Sequence, residues 1–493
     1  MNRTSTDNPM VSLAQHILSG LPHRFTKDDV RPERLACLFM IDTMIRPFLP
    51  AFRQTIAGKL LDYTIACALQ SSPWYQESYG RQGFDVHKIF TLQELAQLPV
   101  IDRSVLEHEG HRLRASTLNF GSAAFTTGTT SLRPLIVDNS IEEHQFVREF
   151  FSIMRQGQSS AGRIGLNLTN TYHGQLVDIP TAFRRIPVSA NTLSGLRTAQ
   201  ALLQRDYSTA GGRQRVSAIG GPLIALLRLT AFLEAEQSRA SMPAIDFIQS
   251  TSEYLTPAAQ QSLKNFWNCP VEDRYGLSEI IIGAWRCSAC GHHHFESYGI
   301  AEVVGMKDHI PITEGRGRLL LTGFAPFMQM TPLIRYLTGD GIEIVPTPCE
   351  TGEQSFRLLG RLRNSLVYKG KLLLGEYEVM DILDGEPDVF RHKMYRYLPD
   401  YLQEVGSPPQ FQLSIDENGL PLLTIQLRYD PQASDPILKN LQQRIATALA
   451  AKGLHAFIQD PGEPVSPLLA DMRGMVQPVR VQFIRGSDEV VMF

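Results

Sequence analysis

The chain has no apolar run approaching the roughly 20 residues a membrane-spanning helix needs, so no membrane partner is expected. The opening stretch from Met1 to Pro9 lacks the apolar core of a secretory signal, and a cytoplasmic protein is the expectation. A strong excess of one charge is also missing. Forty-seven basic residues face 50 acidic ones, a net of −3, which gives no basic footprint for a nucleic-acid partner. Cysteine is scarce, with six in 493 residues, too few and too scattered for a disulfide framework. Internal repeats and low-complexity tracts are absent as well. What remains is an ordinary globular composition, 43% hydrophobic and 20% charged, which argues against disorder. Its length suggests about three domains or subdomains.

Apolar residues recur at helical spacing over Leu13 to Leu18, Leu35 to Ile45 and Ala57 to Leu69, so the first hundred residues read as helices. Beyond about residue 117 short strands alternate with helices. Val216 to Ile219 reads as a strand and Leu223 to Leu233 as a helix. Ile245 to Ile248 is a second strand, followed by a helix that starts at Thr256-Pro257 with a cap and a first-turn proline. That alternation predicts an α/β sheet architecture. Further strands are expected at Arg318 to Thr322, Gly341 to Val345 and Leu422 to Arg428, with a helix over Asp435 to Ala451. The expected division is a helical extension over 1–55, a large multi-subdomain unit over 56–360, and a small α+β unit over 361–493. Cys37 and Cys67 sit at apolar helical positions and are expected in the core.

The segment Phe125-Thr-Thr-Gly-Thr-Thr-Ser-Leu-Arg-Pro134 is a run of small hydroxyl residues around one glycine, suited to wrapping a polyphosphate. It lacks the Gly-Lys-Ser/Thr ending of a Walker loop. Alone it is most simply a surface turn. Four further segments follow in order. Ser250-Thr-Ser-Glu-Tyr-Leu-Thr-Pro257 and Asp273-Arg-Tyr-Gly-Leu-Ser-Glu279 each follow an expected strand. Arg335-Tyr-Leu-Thr-Gly-Asp340 is placed between strands, and Gly360-Arg-Leu-Arg-Asn364 leads to Tyr368-Lys-Gly370 and Glu376-Tyr-Glu378. Each has a bland reading as a turn, a strand end or a solvated carboxylate. Together, in this order, they resemble the adenylate-forming superfamily. Within it the chain most resembles the phenylacetate–CoA ligase branch, which the stretches Ser72-Pro-Trp-Tyr75 and Leu92 to Asp102 support.

The resemblance implies roles position by position. Thr127, Gly128, Thr129, Thr130 and Ser131 would hold the phosphates of ATP, with Arg133 where a basic residue is usual. Ser252 and Glu253 would border the adenine. Tyr275, with Gly276 beside it, would stack on the purine. Asp340 would accept hydrogen bonds from the ribose, and Arg361 would reach ribose or phosphate. Glu279 would help hold Mg²⁺. The implied chemistry is attack of a carboxylate on the α-phosphate of ATP, giving an acyl-adenylate, with Glu279 and Arg361 as catalytic residues. The acyl group would then pass to CoA or to an amine, after rotation about a hinge for which Arg363 is the candidate. His173 falls where the acyl pocket is often lined, with a structural histidine as the equal alternative. The branch suggests an aryl or small organic acid, and a homodimer is an option.

One departure stands out. The family carries a lysine near its C-terminus that contacts the attacking carboxylate, whereas the last lysine here is Lys452. Arg473, Arg480 or Arg485 would have to substitute, a non-conservative exchange. The alternative expectation is therefore a protein that binds nucleotide or acyl-adenylate and adenylates weakly or not at all.

Cys287-Ser-Ala-Cys-Gly-His-His-His294 is a Cys-x2-Cys-Gly knuckle of the kind that presents two thiolates to zinc, with His292 or His294 close enough to be a third ligand. Members of the resembled branch can place a metal-binding cysteine just before the hinge, where Cys349 stands. The expected structural zinc set is Cys287, Cys290, His294 and Cys349; two reduced cysteines in a loop is the plain alternative.

Overall fold

The computed structural model describes residues 9–84, 87–126, 135–155, 163–169, 184–209, 212–347, 349–391, 393, 397–416, 418–428, 435–451, 455 and 457–459. It begins with helices α1 (Pro9–Gly20), α2 (Pro32–Ile45), α3 (Pro50–Ser71), α4 (Pro73–Gly80) and α5 (Arg103–Leu113). Proline opens the first turns of α2, α3 and α4, where its missing N–H would have had no helical partner. The expected division after residue 55 falls inside α3, which runs unbroken from Pro50. On α2 the buried stripe is Leu35, Ala36, Leu38, Phe39, Asp42 and Ile45. Cys37 lies off that stripe and is exposed, contrary to the expectation of a core position, because its helical angle points it away from α6 (Ile141–Met154). Cys67 is half-buried.

A hairpin of β1 (Phe120–Thr126) and β2 (Leu135–Ser140) precedes α6. Ser140 caps α6 and Glu143 completes a capping box. The rest of the large unit is built on one sheet. Its strands are β3 (Ile164–Thr169), β4 (Arg184–Ser189), β7 (Val216–Pro222), β8 (Phe247–Thr251), β9 (Val271–Tyr275), β10 (Ala284–Arg286), β11 (His293–Phe295), β12 (Gly299–Val304), β13 (Gly315–Gly323), β14 (Tyr336–Val345) and β15 (Ser355–Arg361). The small hairpin β5 (Tyr207–Thr209) and β6 (Gly212–Gln214) lies apart from it. Across the sheet the order is β12-β13-β14-β15-β11-β10-β9-β8-β7-β3-β4. The half from β4 to β9 is parallel, with crossovers through α8 (Leu223–Ala235) and α9 (Pro257–Trp267), while α7 (Leu193–Gln204) packs beside β4. The half from β9 to β12 is antiparallel. The site therefore forms where the pairing changes sense, at the carboxyl ends of the parallel strands. Strand β8 begins at Phe247, two residues later than expected, and Thr256 caps α9 by accepting the Ala259 N–H at 3.2 Å.

Four apolar clusters hold these parts, the smallest (Met306, Leu359, Leu362 and Leu372) joining the end of β15 to the residues beyond it. One joins α2, α3 and α6 to the antiparallel half of the sheet. A second lies under α7, α8 and α9 against the parallel half. The third belongs to the C-terminal unit of β16 (Leu366–Tyr368), β17 (Lys371–Leu374), α10 (Glu376–Leu383), β18 (Phe411–Ile415), β19 (Pro421–Ile425), α12 (Asp435–Ala450) and β20 (Phe457–Gln459). In α12 the residues Leu441, Ile445 and Leu449 form one buried stripe at helical spacing. The short α11 (Asp400–Gln403) sends Leu402 into the second cluster, tying the C-terminal unit to α8. Among the described residues no helix is long and apolar enough to cross a membrane.

Candidate nucleotide site and metal centre

Three residues from three strands meet at the change of sheet sense. Tyr275 ends β9, Asp340 lies in β14, and Arg361 ends β15 directly opposite Asp340. The segment Arg335 to Asp340 was expected between strands; from Tyr336 on it lies within β14 itself. A bulge there, with Gly339 at φ +78°, breaks the register against β13 and turns the Asp340 carboxylate toward β9. Tyr275 Oη donates to Asp340 Oδ2 at 2.7 Å, and Arg361 Nε stands 3.3 Å from Oδ1. Arg361 Nη1 also donates to the Thr338 carbonyl at 2.7 Å. Asp340 is 3% exposed, so its charge depends on these donors. The Asp340 carboxylate in turn pushes the Arg361 guanidinium above its ordinary range. Burial, then Asp340, raises the Tyr275 phenol. Tyr275 and Leu277 are only partly buried at the edge of the first cluster, leaving a flat aromatic surface beside a fixed carboxylate.

Glu279 is buried and accepts from Tyr336 Oη at 3.2 Å. A Cβ on Gly276 would meet nothing within 4 Å, so the backbone there is open. Ser252 is exposed and takes φ +71°, at the turn after β8. Glu253 is exposed as a residue, yet burial of its carboxyl end beside Leu223 and Ile224 pushes its pKa up to about 7. The amides of those two residues oppose the shift. Arg363, the hinge candidate, sits in a tight turn, Leu362–Asn364, immediately after Arg361. Glu376 braces that turn: it accepts the Arg361 N–H at 2.8 Å and the Asn364 side-chain amide at 3.1 Å.

The phosphate-loop residues Thr127, Gly128, Thr129, Thr130, Ser131 and Arg133 lie outside the described residues. So do His173, Lys452, Arg473, Arg480 and Arg485. Sequence reasoning missed several neighbours of the site. Asp273, two residues before Tyr275, is buried on β9 with the His293 ring 3.3 Å away. Tyr254 and Tyr377 also reach the site. The alternation that puts Asp273 on the face of Tyr275 was readable as a period of two. Its pairing with His293 needed the sheet order.

The four expected metal ligands come together. Donor atoms of Cys287, Cys290, His294 and Cys349 all lie within 4.8 Å of one another. The Cys287 and Cys349 sulfurs are 3.9 Å apart, and Cys290 Sγ is 3.4 Å from His294 Nε2. Tetrahedral zinc with ordinary bond lengths requires edges of about 3.8 Å and about 3.5 Å for such pairs. The donor set therefore fits zinc. His294 Nδ1 faces the Gln354 carbonyl at 3.0 Å, so that nitrogen carries the proton and Nε2 is left as the ligating atom. His292, the other candidate, contributes its carbonyl to the Cys287 N–H at 2.8 Å. Behind the cluster, Glu353 Oε2 lies 3.6 Å from His294 Nδ1, while Oε1 is held by Arg46 and by Arg53 at 2.9 Å. Those arginines belong to the end of α2 and to α3.

No family model matches the chain, and no curated protein matches it. Solved structures do. An open conformation of 2-hydroxyisobutyryl-CoA ligase, in complex with its acyl-AMP and CoA, superposes with a TM-score of 0.60 at 13% identity, covering 87% of this chain and 92% of that one. The same enzyme in a postadenylation state gives 0.60 over 88% and 90%, and in its thioesterification state 0.52 over the same shares, each at 13% identity. The chain thus has the fold of the adenylate-forming ligases.

Proposed function

We propose that this protein is an AMP-forming enzyme that activates a small carboxylic acid as its acyl-adenylate and hands the acyl group to CoA or an amine. The observation that carries the reading is the Tyr275–Asp340–Arg361 triangle at the carboxyl ends of the parallel strands. It offers an aromatic face for a base, a carboxylate for a ribose and a permanent cation for a phosphate. Glu279 is the carboxylate that would hold Mg²⁺, whose charge would offset repulsion between the substrate carboxylate and the phosphates. Ser252 and Glu253 would border the base. Arg361 would stabilise charge as the acid oxygen joins the α-phosphate and pyrophosphate leaves. The turn at Arg363, after Arg361, would then let the unit beyond residue 361 rotate for the second half-reaction.

Cys287, Cys290, His294 and Cys349 would hold a structural zinc, closed by four protein ligands and remote from the chemistry in role. CoA is the favoured acceptor, since the superposed ligase carries it; an aryl or small aliphatic acid is the favoured substrate. The test is ATP-dependent pyrophosphate release across a panel of such acids, with neither CoA nor amine present. Release with one class of acid is expected. Silence with every acid, while adenine nucleotide still binds, would overturn the enzyme in favour of a nucleotide-binding protein.

A further inference from the structure

Three tyrosines meet at the nucleotide site, and only Tyr275 has a role in the reading above. Tyr254 directly follows Glu253. Tyr377 is the second residue of α10, beyond the hinge. Their rings lie face to face, with centroids 3.9 Å apart and planes 5° from parallel. The Tyr254 hydroxyl donates to Asp381 Oδ1 at 2.9 Å, one turn along α10. Two residues further on, the Thr256 hydroxyl bonds to Asp384, whose other oxygen is held by Arg391 Nη1 at 2.8 Å. A ring stack and two side-chain bonds thus fasten the wall of the nucleotide site to the C-terminal unit.

Tyr377 stands among the nucleotide residues themselves. A Cβ at Gly360, where φ is +90°, would lie 2.9 Å from Tyr377 Cδ1, so the ring rests on the strand end that carries Arg361. The charges acting on its hydroxyl include Asp340, Arg361 and Asp273. Tyr377 in turn acts on the phenol of Tyr275. A flat ring parallel to Tyr254 at this spacing has the geometry a purine base would take there.

We infer that Tyr377, stacked on Tyr254, fills the place beside Tyr275 that the purine base must take, so that the stack is an autoinhibitory latch, carried by the C-terminal unit, that a nucleotide must open. The inference rests on the adenine-nucleotide reading of the site. A latch of this kind lowers apparent affinity by the fraction of molecules that are open. It also makes association depend on an opening step.

The test uses the full chain, with AMP and a non-hydrolysable ATP analogue as probes, measured by calorimetry and stopped-flow. Tyr377→Ala is expected to tighten Kd by about three- to tenfold, the scale of one lost ring pair. The association rate of the native protein should saturate with nucleotide concentration, and that of the variant should not. Tyr377→Phe, which keeps the ring, should behave as the native protein, and Tyr377→Leu serves if the alanine variant fails to fold. Unchanged or weaker binding by both Tyr377→Ala and Tyr377→Leu would overturn the latch and leave the adenine-nucleotide reading standing. Binding of neither probe by any form would remove both.

Discussion

Asp340 would carry the central charge of the proposed nucleotide site, with Tyr275 Oη on one oxygen and Arg361 on the other. Replacing it with asparagine would keep the shape and remove the charge, leaving the half-buried Arg361 guanidinium without the carboxylate beside it. Asp340→Asn is expected to weaken ATP binding by about 10- to 100-fold, read by calorimetry; a change under twofold would contradict the role given to it. These three residues were accessible from the order of short motifs in the chain. Tyr377 lay within the last of those motifs, Glu376-Tyr-Glu378, but without a role, because it reaches the site only when α10 folds back beside β15. The pairing of Asp273 with His293 was hidden, since that contact is made by the antiparallel run of β9, β10 and β11. Arg335 shows the opposite case. It opens a motif, yet its guanidinium is buried and donates to the carbonyls of Ala96, Leu98 and His309, so its work is to hold the chain before α5.

The helices α9 and α12 were readable because one face of each is buried and the rest is not, and α8 and β13 because they are apolar runs buried almost throughout. The bulge in β14 was not readable as such. Thr338-Gly339-Asp340 looks like a loop in sequence and is a strand whose pairing slips at a glycine. The metal knuckle was visible from Cys287 and Cys290, but its link to the amino-terminal helices was not. Glu353 supplies that link, between His294 on one side and Arg46 and Arg53 on the other. The packing is close: a Cβ on Gly352 would lie 3.0 Å from Pro47 Cα. The full chain purified without chelator should carry one zinc per chain, and Cys290→Ser should lose it. Chelation should then raise hydrogen exchange in α2 and α3, and Glu353→Gln should do so with the zinc still bound. Absence of stoichiometric zinc would contradict the metal centre. Zinc loss without any change in α2 and α3 would contradict the link.

At the scale of the molecule, the apolar clusters would let one chain fix a site and, on the proposed function, move part of it. Two clusters bind helices to the two halves of the large sheet and set Tyr275, Asp340 and Arg361 against one another. The third closes on itself from residue 366 on and meets the rest through α11, the tyrosine stack, the braced turn at Arg363, the two-pronged Arg316–Glu378 ion pair and the small cluster of Met306, Leu359, Leu362 and Leu372. On the proposed function these contacts would be exchanged when the unit changes position between the two half-reactions. The most direct measurement follows the oxygen atoms. An acid that supports pyrophosphate release, labelled with heavy oxygen in its carboxylate, is incubated with the protein, ATP and CoA, and the AMP produced is weighed by mass spectrometry. The account predicts one heavy oxygen in AMP, because the acid oxygen that joins the α-phosphate stays there when the thiol takes the acyl group. Unlabelled AMP, or ADP with label in phosphate, would contradict it.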